Sequence, residues 1–208
     1  AQAVGGVPVE YQGGREGAAD FERMKDQHKR VLPFDEFLAL LTATGAGNDT
    51  YLTAYNSAAN RIALDPLVGD LGRIDTLLVH RDRADEGMPW IGAAGSFTPL
   101  HHDLTNNLLV QLVGRKRIVM APSIDTPKLS NDHFVFSAIE DLTDPTLDCA
   151  RHPLAHRARL FSFVLEPGDA LFIPIGWWHQ VRALDFSVSY TYTNFRWPNH
   201  WHETFPST

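Results

Sequence analysis

Residues 97–113 read FTPLHHDLTNNLLVQLV, apolar at both ends and broken in the middle by a short polar patch. Segments of the same character surround it: WIG at 90–92, KRIVMAP at 116–122, LFSFVLEPGDALFIP at 160–174, WWHQVRAL at 177–184 and FSVSYTYTNF at 186–195. Each is short, aromatic or β-branched, and bounded by Gly, Pro or Asp. That pattern predicts an antiparallel sandwich or barrel over about residues 90–196. Val113-Gly114-Arg115 and Glu166-Pro167-Gly168-Asp169 read as hairpin turns. Residues 121–160 are loop-rich.

Upstream the period changes. Residues 1–19 are rich in Gly and Ala and read as a poorly ordered lead-in, and Asp20 to Arg30 as a short surface helix. Phe34, Phe37, Leu38 and Leu41 follow Pro33 at helical spacing, with Gly45 and Gly47 as the stop. Tyr51 to Tyr55 reads as a strand. Residues 60–74 place Leu64, Leu67, Val68 and Leu71 on one helical face, although Pro66 constrains that helix. The expected organisation is an arm and short helix over 1–32, then one mainly β domain over 33–208.

The 208 residues hold 18 Lys+Arg and 25 Asp+Glu, a net charge of −7, which argues against nucleic acid as the main partner. At roughly 150 residues per domain, the length suits one domain. No apolar run approaches the ~20 residues of a membrane span. A lone cysteine, Cys149, excludes an intramolecular disulfide framework and fits a reducing, cytoplasmic setting.

Three residues carry the chemistry. Side chains alternate along a strand, so His101 and Asp103 share a face, about 6.6 Å apart at ~3.3 Å per residue, while His102 faces the other way. With His179 from another apolar segment they make a two-His, one-carboxylate set, the donor pattern of non-haem Fe(II) oxygenases. An ordinary surface strand and a satisfied core histidine are the plainer alternatives. Lys116 alternates with Ile118 and Met120, so it either points inward toward a fixed anion or snorkels to water from the strand end.

TPLHHDLTNNLLVQLVGRKR, VLEPGDALFIPIGWWHQV and SVSYTYTNF resemble the JmjC-type, cupin-like oxygenases that depend on Fe(II) and 2-oxoglutarate, in the group that includes an asparaginyl hydroxylase. The resemblance covers about residues 90–196, and more loosely 33–89. It implies a double-stranded β-helix, or jelly roll, with iron held by His101, Asp103 and His179. It further implies that Lys116 pairs with the distal carboxylate of 2-oxoglutarate, helped by Thr98 and Tyr51. Asn107 and Asn194 are matched to polar residues of the same pocket. His102 stands where relatives often have Tyr or Gln, and Arg196 where the asparaginyl hydroxylase has Trp, which unsettles substrate and dimer but not the metal set.

The expected function is hydroxylation of a C–H bond with dioxygen, in a peptide or protein side chain. A small-molecule hydroxylase and a non-catalytic metal-binding cupin are the alternatives. Trp177, Trp178, Trp197 and Trp201 read as β-core cover before an aromatic rim. His152, His156, His200 and His202 read as surface residues, and Cys149 as incidental.

Overall fold

From β4 (Met88–Gly92) through β5 (Phe97–His102) and β6 (Asn107–Val113) to β7 (Lys116–Ala121), each strand leaves one antiparallel sheet and enters the other. The same alternation runs from β10 (Phe161–Leu165) through β11 (Ala170–Ile173) and β12 (Trp178–Ala183) to β13 (Ser187–Tyr192). Between the two runs, β8 (Asn131–His133) and β9 (Phe136–Ser137) extend the second sheet. The computed structural model describes residues 4–18, 21–68, 71, 73–79, 87–200 and 203.

Upstream lie β1 (Pro8–Gln12), α1 (Lys25–His28), β2 (Lys29–Pro33), α2 (Phe34–Thr44), β3 (Tyr51–Leu52) and α3 (Ser57–Val68). One sheet has the order β11-β6-β13-β4-β3-β1-β2, and the other β10-β7-β12-β5-β9-β8. The result is an antiparallel sandwich, as the patterning predicts, with the jelly-roll topology that the family resemblance implies. No helix among the described residues is long and apolar enough to cross a membrane.

The two expected hairpins are corners instead. Gly114 hands the chain from β6 to β7, and the turn at 166–169 hands it from β10 to β11, each time across the sandwich. Glycine is required at the first corner. Its φ is +65°, and a Cβ there would lie 2.0 Å from the Phe186 carbonyl oxygen.

The lead-in expected over 1–19 also differs, because residues 8–12 form strand β1, in register with β2 from Pro8↔Pro33 to Gln12↔Lys29. Val9 and Tyr11 are buried among Phe34, Phe37 and Leu41 of α2, Leu64 of α3 and Ile91 of β4. Where β3 does not reach along β1, the Asn60 side chain supplies the ladder: Glu10 N donates to its Oδ1 and its Nδ2 donates to Glu10 O, each at 2.7 Å. The helix expected over 20–30 shrinks to the single turn of α1.

The strand expected over Tyr51–Tyr55 stops at Leu52. Thr53 and Asn56 then cap a turn of 3-10 helix, with Thr53 N donating to Asn56 Oδ1 at 3.2 Å. Helix α3 starts at Ser57 and ends two residues after Pro66, which leaves Leu71 beyond it.

Strand parity sorts the β core. Leu108, Tyr190 and Tyr192 face outward and pack with Leu78 and Phe195, while Leu109, Ile118, Met120, Leu165 and Ile173 fill the space between the sheets. Outside the other sheet, Trp178 and Leu100 pack beneath the 121–160 segment through Leu129, Ile139 and Ala155. Trp178 is fully buried, Trp177 is partly buried against the inner cluster, and Trp197 is exposed, so the reading of the tryptophans as core cover holds for the first two. His152 is buried and pairs with Ser130 Oγ at 2.8 Å, contrary to the expected surface position. Trp201 and His202 lie outside the described residues.

Candidate metal centre and active-site cavity

His101 and His179 sit opposite each other on the paired strands β5 and β12, their ring centroids 4.2 Å apart. Asp103 follows the end of β5 and turns between them. Its Oδ1 lies 3.9 Å from His101 Nε2 and its Oδ2 3.7 Å from His179 Nε2. One donor atom from each residue falls within 4.8 Å of the others. His102 points the other way, edge-on to Trp178 at 4.8 Å. Parity therefore selects the residues that face one another.

The far nitrogens fix the tautomers. His101 Nδ1 lies 2.8 Å from the Pro99 carbonyl, and His179 Nδ1 lies 3.0 Å from the Trp177 carbonyl. A ring nitrogen facing a carbonyl must carry the proton, which leaves each Nε2 lone pair directed inward, as metal-ligating imidazoles require. Burial, with neighbouring His101 adding to it, pulls His179 down to about 4, so this ring is neutral at pH 7. Burial alone would raise the Asp103 pKa, but His179, His101 and the Asn107 amide together hold it below the ordinary carboxylate range. Asn107 Nδ2 donates to Asp103 Oδ2, which orients the carboxylate. An ionised carboxylate beside two inward imidazole lone pairs is a donor set that a divalent cation fits.

The three residues line one part of a cavity of about 360 Å³ between the sheets. Its lining includes Thr98, Asn107, Lys116 and Tyr51, so seven of the eight residues singled out from the sequence meet there. The eighth, Asn194, is not among them, because its Nδ2 donates to the Val79 carbonyl at 2.8 Å.

Thr98 reaches the cavity through an irregularity. In strict alternation it would face away from His101. However, His179 pairs with His101 and Val181 with Thr98, so three steps on β5 match two on β12. The extra residue falls at Pro99-Leu100, where proline has no N–H to give to a ladder, and the bulge resets parity.

Lys116 is 1% exposed, which settles its direction as inward. Its Nζ lies 2.6 Å from Ser189 Oγ and 3.3 Å from the Tyr51 hydroxyl. The rings of Tyr51 and Trp90 stand 5.7 and 5.9 Å away. None of these partners is an anion, and burial pulls the ammonium down to about 7. Burial also pushes the Tyr51 phenol well above its ordinary value, so it remains a neutral donor. Gly92 admits this ring: a Cβ there would meet Tyr51 Cδ2 at 2.7 Å.

The sequence reading missed Trp90, Ser189 and Thr191. Trp90 Nε1 donates to Thr191 Oγ1 at 3.0 Å, closing the wall near Lys116. The signal was present in SVSYTYT, where Ser187, Ser189, Thr191 and Thr193 alternate with Val and Tyr. In a barrel strand with aromatic residues outside, that alternation places hydroxyls within.

The chain is similar to several known proteins. Jumonji C domain-containing protein 5 of Drosophila melanogaster is 40% identical over 104 residues, covering 49% of this chain and 26% of that protein. Lysine-specific demethylase JMJ30 of Arabidopsis thaliana is 39% identical over 113 residues, covering 53% and 25%. HSPB1-associated protein 1 of Mus musculus is 40% identical over 107 residues, covering 48% and 22%. The matched part spans about a quarter of these relatives. Among solved structures, a ribosomal oxygenase of Escherichia coli, YcfD, in complex with cobalt and succinic acid, covers 93% of this chain and 41% of its own, with 19% identity and a TM-score of 0.44. A family model described as the cupin-like domain matches residues 2–205, and the chain belongs to that family.

Proposed function

We propose that this chain is an Fe(II)- and 2-oxoglutarate-dependent dioxygenase that hydroxylates a C–H bond of a peptide or protein side chain. The observation that carries this reading is the pairing, in one cavity, of a two-His, one-carboxylate set with a buried ammonium that has no anionic partner among the described residues. A dicarboxylate suits both ends, chelating metal at one and meeting Lys116 at the other.

His101, Asp103 and His179 would hold the Fe(II). Lys116, with neutral donors from Tyr51 and Thr98, would hold the distal carboxylate of 2-oxoglutarate. With dioxygen as oxidant, bound metal and cosubstrate would supply oxidative decarboxylation to succinate and carbon dioxide, one oxygen atom entering succinate and the other the hydroxylated substrate. The chain's own part is to orient and to exclude water. Asn107 fixes Asp103, the Pro99 and Trp177 carbonyls fix the imidazoles, and Trp90, Leu109, Ile173 and Val181 make the walls apolar.

A protein substrate is favoured by the relatives named as lysine-specific demethylases. The cavity lining also includes half-exposed Tyr55, Phe136 and Lys25, the last paired with Glu22 at 3.0 Å, which offers aromatic and mixed-charge surface to a side chain. The exposed free Cys149 fits a reducing, cytoplasmic setting.

The test is turnover of 2-oxoglutarate to succinate with Fe(II), ascorbate and air. Asp103→Ala should abolish it with the circular dichroism spectrum unchanged, and undiminished turnover would remove the assignment. Lys116→Ala should raise the 2-oxoglutarate requirement far more than that for iron. Tightly held zinc with no decarboxylation would favour the non-catalytic cupin.

A further inference from the structure

Residues 196–200 follow the last strand, and all but one of their side chains are exposed. The exception is Asn199, whose amide makes four hydrogen bonds. Its Oδ1 accepts from Asn106 N at 2.7 Å and Asn106 Nδ2 at 2.9 Å. Its Nδ2 donates to Asn106 O at 2.9 Å and to Thr193 O at 2.8 Å. A surface amide with every donor and acceptor used is an investment in one geometry, since holding it costs side-chain entropy.

That geometry leads to the metal ligands. Asn106 uses its remaining acceptor, Oδ1, on Ile175 N at 3.0 Å, and Gly176 N donates to the Asp103 carbonyl at 3.0 Å. The 103–107 turn, which carries Asp103 and its orienting Asn107, is thereby tied to the 174–177 loop, which carries the carbonyl that orients His179. The ladders pin the ends of both loops, with Asn107 opposite Ile173 and His102 opposite Trp178, and these two bonds join the stretches between.

We propose that Asn199 and Asn106 form a clasp that positions Asp103 relative to His179, and that Asn199 is a positioning residue for the metal although it lies outside the barrel strands. The proposal takes its ligand set from the function proposed above but not the reaction. Groups hydrogen-bonded directly to metal ligands typically carry about 10–100-fold in metal affinity, and Asn199 acts one residue further out, so the lower end of that range is its upper bound.

The experiment is titration of the whole metal-free chain with Co(II), followed by visible absorption, together with thermal unfolding of the same metal-free samples. Asn199→Ala should weaken Co(II) binding severalfold, up to about tenfold, and alter the band shape, because the ligand angle changes. Trp197→Ala removes an exposed neighbour stacked on Phe195 at 4.6 Å and should bind Co(II) as the parent does. Should Asn199→Ala not fold, Asn199→Asp keeps the acceptor for Asn106 and loses both donations, and it should still bind more weakly than the parent. Parent-like Co(II) affinity and spectrum in a folded Asn199 variant, even with lowered thermal stability, would overturn the clasp and leave Asn199 merely structural. Failure of the parent itself to bind Co(II) would instead overturn the ligand set.

Discussion

Lys116 donates to Ser189 at 2.6 Å, and the acceptor is a neutral hydroxyl although the ammonium is almost wholly buried. A charge placed there without a counter-charge makes the ligand-free cavity sensitive to pH and receptive to anions. The unfolded chain keeps this proton up to its ordinary 10.5, the folded chain only to about 7. Between those values the unfolded state binds more protons, so ligand-free stability rises as pH rises from about 7 toward 10.5, and the full cost of burial is felt below 7.

Binding of a carboxylate reverses that balance by drawing the proton back. At pH 8, calorimetry of succinate or 2-oxoglutarate binding in buffers of different ionisation enthalpy should show proton uptake. Affinity should fall by up to about tenfold per pH unit above 7. Lys116→Met should abolish the uptake and raise the ligand-free melting temperature. PH-independent binding would remove Lys116 from the carboxylate site.

His101→Ala and His102→Ala should separate cleanly despite adjacency. The first removes an inward nitrogen and should eliminate Co(II) binding. The second loses an edge contact with Trp178 and should cost about 1–2 kcal/mol of stability in urea unfolding while leaving Co(II) affinity within about threefold. Comparable loss of metal in both variants would contradict the strand parity.

Gly114→Ala should destabilise by more than ~2 kcal/mol, since the corner requires positive φ and the new Cβ would run into the Phe186 carbonyl. Gly168 also has positive φ, but open space surrounds its missing Cβ, so Gly168→Ala should cost less. Urea unfolding of the two variants side by side makes the comparison.

Trp178→Ala should cost about 3–5 kcal/mol, because it removes a fully buried ring whose Nε1 donates to Thr126 at 2.8 Å. Trp197→Ala should stay within about 1 kcal/mol. Equal losses would mean that the exposed tryptophan is structural cover after all.

What the sequence shows most directly is local periodicity. His101 and Asp103 were readable as one face because that inference needs only an alternating backbone, and α2 because Phe34, Phe37 and Leu41 repeat within a few turns. Thr98 defeats simple alternation, since the bulge at Pro99-Leu100 is visible only once β12 is laid alongside. Gly114 and Gly168 announce that the chain turns, but not that the next strand joins the opposite sheet. That choice belongs to partners far along the chain. Strand β1 was hidden for a related reason: its partners β2 and β3, and the Asn60 amide that completes its edge, stabilise it from elsewhere. Asn194 was matched by likeness alone; its Nδ2 donates to Val79 and it lies outside the cavity lining.

The strand alternation between sheets also governs how this barrel is reached from an unfolded chain. Gly92 finds its ladder partner in Ser187, about 95 positions later. Closing so wide a loop costs entropy before any contact repays it, which makes high contact order and slow folding the expectation. His179, on the late strand β12, meets His101 across a separation of 78 positions of its own, so the candidate triad is likewise assembled by long-range pairing.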